Sequence, residues 1–373
     1  MADVNRARRE QVVITGLSVL SAFGRGADAL LDRAFGGTTA FVPVSRFDTR
    51  QRRSGVAATL PGAPVLADEL VEAVEYACAD AGLGREQAQL ERAGCPLLIA
   101  AHADRANVAT ALDVAARAGL QPAARTYTAA CVAASTAVAD AATMIAAGRV
   151  QRAVVAAGYL VDADTFAMFD AGRALARDGR VRPFSAGRQG MVLGDAVVAV
   201  VLESAAAAEH REVPTVATLA GWGRAGDAYH VCQPRPDGSG LARAVGSALR
   251  RAGLTPYDIG YVNANGTGTV FADVSEAAAL RRVFGEAVDR VPVSSTKSVH
   301  GHALEASGLL ELVTTVLALR AGRLPVNSGF VEPDADCRLD LVLDQPRHVR
   351  PRYALSLNAA FGGANTALLV GAA

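Results

Sequence analysis

Segment 131–148 restricts the fold more than any other part of the chain. It opens on Cys131 and closes on Gly148, and every position between them except Asp140 is apolar or a small hydroxyl residue. A helix written in this sequence has no polar face, so it must be covered on every side. Gly148 supplies its stop. Two later runs, 150–157 beyond Gln151 and Arg152, and 196–202, are apolar without alternation, the pattern of strands covered on both faces. The chain therefore has to wrap sheets and further helices around a buried helix. Its 373 residues, 51% of them hydrophobic, suffice for such a core and imply two units or one large unit with internal duplication.

Strand-like and helix-like runs alternate along the whole length, as in an α/β protein with a buried sheet. A strand at 12–15 precedes helices over 27–35 and 66–81. A strand at 97–100 and a helix over 106–118 then lead to the cysteine segment. Beyond the run at 196–202, the polar, alanine-rich stretch 204–214 reads as a crossover, after which the alternation begins again. Strands are predicted near 216–223, 259–263 and 291–293, helices over 241–252, 272–284 and 303–321, and closing strands near 339–343, 354–357 and 366–370. The expected halves are 1–206 and 212–373. No low-complexity linker divides them, so they should pack as one body.

Lys plus Arg equals Asp plus Glu, 37 of each, so no global charge points to nucleic acid or an anionic membrane. The five cysteines (Cys78, Cys95, Cys131, Cys232, Cys337) are odd in number and include no CxxC pair or metal-ligand spacing with histidine. This favours a reduced, cytoplasmic setting and no metal site. Arg6, Arg8 and Arg9 before the apolar run 12–24 mimic a signal peptide. The run reads better as a first strand and loop, since no small-x-small cleavage site follows. No stretch reaches membrane-spanning length.

Cys131 is the candidate nucleophile. A thiol at the start of a buried helix lies at the positive end of the macrodipole, which favours the thiolate. Three loops concentrate other reactive or binding groups. The loop after the strand at 259–263 holds Asn263, Asn265, Gly266, Thr267, Gly268 and Thr269. Segment 294–302 holds Lys297, His300 and His302, and segment 356–365 is a glycine turn with one aromatic, Phe361 followed by Gly362. Loops at strand ends are where α/β sites form.

Taken in order, these stretches resemble the β-ketoacyl-acyl-carrier-protein synthases, or ketosynthases, of fatty-acid and polyketide assembly. The likeness runs from Val12 to Val370. It is carried by Val13-Ile-Thr-Gly, the cysteine segment, Arg182-Pro-Phe with Val192-Leu-Gly-Asp, Asp227-Ala-Tyr-His230, Tyr261-Val-Asn-Ala-x-Gly-Thr-Gly-Thr, Ser295-Thr-Lys-Ser with Gly301-His302, and Phe361-Gly-Gly-x-Asn. The resemblance implies the five-layered α-β-α-β-α thiolase fold, built from two similar halves. It implies that Cys131 accepts an acyl chain from the phosphopantetheine arm of an acyl-carrier protein, no cofactor being bound by this chain itself. Asn265 and His302 would then assist decarboxylation of a malonyl unit, and Lys297, with Glu276, would orient the site. Thr267 and Thr269 would bind the pantetheine arm, and the amides of Cys131 and Phe361 would form an oxyanion hole with Phe361 as gate. His300 and Glu305 would stand behind the reacting groups. Partners would be the acyl-carrier protein and a second ketosynthase subunit, identical or homologous.

The departures bear on activity. Asn265 stands where the family has its first histidine, and an amide can donate a hydrogen bond but cannot shuttle a proton near neutral pH. Ala359 and Ala360 replace the hinge glycine before Phe361, Glu305 replaces a glycine, and the stretch between 97 and 131 is short for the family. Three readings stay open: a condensing enzyme, an acyltransferase without decarboxylation, and a chain-length-factor-like subunit that shapes a partner's tunnel.

Overall fold

The computed structural model describes residues 10–84, 89–102, 107–122 and 125–373. Arg6, Arg8, Arg9 and the expected helix start at Ala106 lie outside the described residues. Ten strands form two groups of five. The first comprises β1 (Val12–Ser21), β2 (Pro96–Ala100), β3 (Gln121–Pro122), β4 (Arg152–Tyr159) and β5 (Ala196–Ser204). The second comprises β6 (Ala217–Gly226), β7 (Ile259–Asn263), β8 (Val293–Ser294), β9 (Tyr353–Ala360) and β10 (Ala364–Ala372).

The two groups share one topology. Within each, the first strand pairs antiparallel with the last, the last antiparallel with the fourth, the fourth parallel with the second, and the second parallel with the third. A short contact between Val13–Ile14 and Ala217–Thr218 joins them edge to edge. Between the groups lies the helix Ala205–His210, capped by the Ser204 hydroxyl accepting from the Ala207 amide.

Helices complete five layers. On the outer face of the first group lie α1 (Leu66–Asp80) and α2 (Asn107–Arg117); α1 buries Leu70, Ala73, Val74, Ala77 and Cys78, one stripe at helical spacing. The middle layer holds α3 (Ala133–Ala146), the helix expected from the apolar segment, although it is not covered on every side: Thr143 is exposed, and Asp140 and Met144 are half-buried. The outer face of the second group carries α4 (Ser239–Ala252) and α5 (Val270–Phe284). The middle layer also holds α6 (Ser307–Ala321), which is buried at every position from Ser307 to Leu319. Both middle helices touch strands of both groups and each other. Each large aliphatic side chain buried there contributes about 1.5–3 kcal/mol relative to exposure. Near their starts the two helices approach so closely that a Cβ on Gly308 would lie 2.2 Å from Ser135 Oγ.

Several expected elements differ in detail. The helix over 27–35 is a turn, Ala27–Ala29, continued as a wider π-type turn, Leu30–Ala34. The expected strand at 339–343 is a single bridge between Leu341 and Val293. The chain there bends back, with the Leu341 amide donating to the Leu339 carbonyl at 3.0 Å, so no ladder propagates. A two-residue ribbon, Arg323–Leu324 with Arg347–His348, is too short to leave a periodic signal.

Candidate active site

The apolar helix begins at Ala133, not at the cysteine. Cys131 is the middle residue of a 3-10 turn, Ala130–Val132, and Ala130 is held at φ 46°, a conformation that costs a non-glycine residue about 1–3 kcal/mol. The second half repeats the device: Leu304 at φ 42° opens the turn Leu304–Ala306, and α6 follows. The two turns pack against one another. Glu305 thus occupies in its half the place that Cys131 occupies in the other.

Cys131 is 6% exposed. The expectation that the helix start would favour its thiolate is corrected. Burial, and next the Glu305 carboxylate, push the thiol up to about 12; the Lys297 ammonium and the residue's own backbone N–H oppose them but are outweighed. The thiol faces a cavity of about 50 Å³ lined by Cys131, Cys232, Pro234, Ala359, Ala360 and Phe361. Phe361 is 50% exposed and stacks on Phe169 with ring centroids 6.0 Å apart. Gly362 takes φ 82° and donates its amide to the Val231 carbonyl at 2.8 Å. Asp227 anchors the same turn through Asn365 Nδ2, at 2.8 Å from Oδ1.

Lys297 is 1% exposed, and its partner is not Glu276. The ammonium pairs with Glu311, one full turn into α6, and donates to Asn265 Oδ1 at 3.3 Å. Glu311 also accepts from Asn358 Nδ2, and Asn358 Oδ1 accepts from Ser135 Oγ at 2.6 Å. A polar chain therefore runs from the Lys297 turn through α6 and β9 into the helix that follows Cys131. Glu276 instead accepts the amides of Asn265 and Gly266, at 2.8 and 2.7 Å. It shapes the loop that presents Asn265. Asp273 does the same one turn earlier, accepting the amides of Gly268 and Phe184 at 3.1 and 2.8 Å. Burial pushes both acids up to about 7 against these amide donors. The hydroxyls of Thr267 and Thr269 lie 2.9 Å apart.

His302 is buried and placed by the Val192-Leu-Gly-Asp stretch: its amide donates to the Val192 carbonyl, and its carbonyl accepts from Gly194 at 3.0 Å. Its Nδ1 accepts the Leu304 amide at 3.0 Å and faces the Ser307 hydroxyl at 3.0 Å. A backbone N–H cannot accept, so Nδ1 carries no proton and the ring is the Nε2–H tautomer. Burial first, then Lys297 and His300, hold the ring neutral, well below the usual imidazole range. His300 is not brought into the site: Nδ1 donates to the Gly301 carbonyl and Nε2 accepts from Thr296, both within its own turn. His230 likewise accepts the amides of Cys232 and Gln233 through Nδ1 and braces its own loop.

Sequence reasoning passed over Glu311 and His102. Glu311 carried a signal, a lone carboxylate within the otherwise uncharged run 307–319, since a buried charge must have a partner. His102 carried none; its Nδ1 donates to Glu305 Oε1 at 3.0 Å from the end of β2. Among the described residues no cluster of His, Cys, Asp and Glu could hold a metal ion, and no helix is long and apolar enough to cross a membrane.

The geometry agrees with comparisons to known proteins. Residues 82–208 match the family model described as the β-ketoacyl synthase N-terminal domain, and residues 216–330 match the C-terminal domain. The chain is 38% identical over 205 residues to 3-oxoacyl-(acyl-carrier-protein) synthase 2 of Staphylococcus aureus, covering 54% of this chain and 51% of that protein. It is 39% identical over 264 residues to nodulation protein E of Rhizobium meliloti, covering 70% and 64%. The chain spans about half the length of the Staphylococcus synthases it matches. Among solved structures, a β-ketoacyl synthase from Burkholderia phymatum is 28% identical with a TM-score of 0.88, covering 98% of this chain and 100% of that one. The ishigamide ketosynthase/chain length factor is 27% identical with a TM-score of 0.89 at the same coverage. A type II polyketide ketosynthase in complex with its acyl-carrier protein shares the fold at 24% identity and a TM-score of 0.90. The architecture is the thiolase-like one, and the chain belongs to the β-ketoacyl synthase family.

Proposed function

We propose that this chain is an acyl-transferring condensing enzyme. Cys131 takes an acyl group from the phosphopantetheine thioester of an acyl-carrier protein: an Sγ–acyl bond forms, the pantetheine C–S bond breaks, and the thiol proton leaves with the pantetheine sulfur. A malonyl-type extender then loses carbon dioxide, its α-carbon attacks the acyl carbon, and Cys131 departs as thiolate and recovers a proton. The observation that carries this reading is the fixed Nε2–H tautomer of His302, beside the Lys297–Asn265 contact. A neutral Nε2–H is a donor suited to a thioester or enolate oxygen. With Asn265 Oδ1 taken by the ammonium, its Nδ2 is the second donor. Neither group shuttles a proton; both stabilise developing negative charge. The amides of Cys131 and Phe361 serve the tetrahedral oxyanion, Thr267 and Thr269 hold the pantetheine arm, and Phe361 with Gly362 gates the small cavity. The halves 1–206 and 212–373 act as one body that pairs with a copy of itself or a homologous ketosynthase subunit.

One observation favours a second reading, a chain-length-factor-like subunit without chemistry of its own: the buried thiol of Cys131 is pushed up to about 12, partly by Glu305. Intact-protein mass spectrometry after mixing with an acyl-carrier-protein thioester separates the two. A mass increase that is lost in Cys131→Ser supports acyl transfer, and no increase in the parent protein overturns it. Carbon dioxide release from malonyl-carrier protein then tests condensation, and its absence restricts the activity to acyl transfer.

A further inference from the structure

We propose that Glu305 selects the acyl group, and that the chain carried on Cys131 bears an O–H or N–H donor near its thioester instead of an unbroken alkyl start. This rests on the acyl-thioester reading of Cys131 and adds a substrate class to it. Glu305 is 4% exposed and sits in the turn packed directly against the cysteine turn. Its Oε1 accepts from His102 Nδ1 at 3.0 Å. Its Oε2 is buried and has no hydrogen-bond partner among the described residues.

A carboxylate oxygen left without a donor in the interior is costly, and a ligand that supplies the donor recovers that cost. An alkyl group placed there would keep the oxygen both dry and unpaired. β4 packs against the Leu304–Ala306 turn, and Tyr159 at its end is buried with a hydroxyl that makes no well-formed hydrogen bond. The Glu305 carboxylate oxygen, short of a donor in the turn packed against the Cys131 turn, is a recognition point for a hydroxyl or amino substituent, not for a hydrocarbon. Glu305 is close enough to both groups that, after burial, its charge raises the Cys131 thiol, and, after burial and Asp162, it also raises the Tyr159 phenol. A bound donor would screen that charge from the thiolate as it forms.

The test uses the full chain carrying Cys232→Ser, which removes the exposed thiol at the mouth of the same cavity. Cys131 is labelled with 2-aminoethyl or with propyl methanethiosulfonate, rates being normalised to a free small thiol. We expect the aminoethyl reagent to be favoured at least about tenfold, and Glu305→Gln and Glu305→Ala each to bring the ratio close to one. The Gln variant carries the test if the smaller residue compromises folding. In parallel, 3-hydroxyacyl and plain acyl pantetheine thioesters of equal length compete for Cys131, with the hydroxylated chain expected to win by a similar factor. Equal labelling by the two reagents, or a ratio unmoved in both variants, overturns the role of Glu305 even where Cys131 is readily acylated. Normal reagent selectivity with no acylation by either thioester overturns the acyl-transfer reading, and with it the substrate assignment.

Discussion

The Lys297–Glu311 pair offers the sharpest test of how this site is held. Both side chains are essentially without solvent contact, 1% and 0% exposed. Breaking such a pair from one side strands a charge, at about 3–5 kcal/mol, whereas removing both charges is often neutral. Glu311→Gln keeps an acceptor for Asn358 but leaves the ammonium with Asn265 alone. Its loss of about 3–5 kcal/mol is a large part of the roughly 5–15 kcal/mol that a folded domain commands. Lys297→Met behaves differently, because the stranded acid can take up a proton. Burial already raises Glu311 above its ordinary value, and Lys297 is the main influence lowering it. An acid raised in the folded state contributes stability that is complete below its unfolded pKa and is lost as pH rises through the folded one. The deficit of Lys297→Met is therefore small at pH 5 and grows toward pH 8. The double variant, Lys297→Met with Glu311→Gln, should lie closer to the parent than Glu311→Gln does, with a coupling of at least about 2 kcal/mol. Urea midpoints at constant m-value under reducing conditions, at pH 5 and pH 8, measure all four proteins. If the double variant simply sums the two single losses at pH 8, the pair is not the anchor described.

Two further outcomes follow from single contacts. Because the Cys131 thiol is pushed up to about 12, its alkylation by iodoacetamide should rise about tenfold per pH unit from pH 7 to pH 10; a plateau below pH 9, read by peptide mapping, contradicts the dominance of burial. Gly194→Ala would set a Cβ 2.0 Å from the His300 carbonyl oxygen, forcing apart the backbones that place His302. We expect about 3 kcal/mol of destabilisation, seen as a lowered Tm, and an unchanged Tm would contradict it.

What the sequence made legible was governed by periodicity. Long runs with a clear apolar pattern, such as Ile259–Asn263 and Leu66–Asp80, lie where they were expected, since their burial is written in the residues themselves. Short pieces such as Arg323–Leu324 with Arg347–His348 owe their pairing to neighbours distant in the chain, which no local pattern records. The site divides the same way. His302, Asn265 and Lys297 were readable as chemistry-bearing residues in ordered loops, but the partner of Lys297 was not. Glu276 and Glu311 are both buried acids on helices, and only the path of α6 between the strand groups decides which one meets the ammonium. The state of the Cys131 thiol was misread because a helix start is a local feature, whereas burial and the Glu305 charge come from the other half.

Duplication explains how the Cys131 thiol comes under a charge from the other half. Each half places a strained residue and a 3-10 turn directly before a largely buried helix, and the two helices meet where Gly308 admits Ser135. The first half contributes Cys131 in its turn. The second contributes the acid Glu305 in the matching turn, and His302 just before it. The polar chain Lys297–Glu311–Asn358–Ser135 then ties the two helices together, ending one turn beyond Cys131. A buried polar chain in which every link is satisfied specifies one arrangement more sharply than apolar contact does. The same chain therefore fixes the two middle helices against one another and resists sliding of one half over the other. Of the two buried carboxylate oxygens at this interface that accept no hydrogen bond among the described residues, Glu311 Oε1 has the Lys297 ammonium as its ion-pair partner and Glu305 Oε2 has none, which agrees with the proposed role of Glu305 toward a group that the protein itself does not contain.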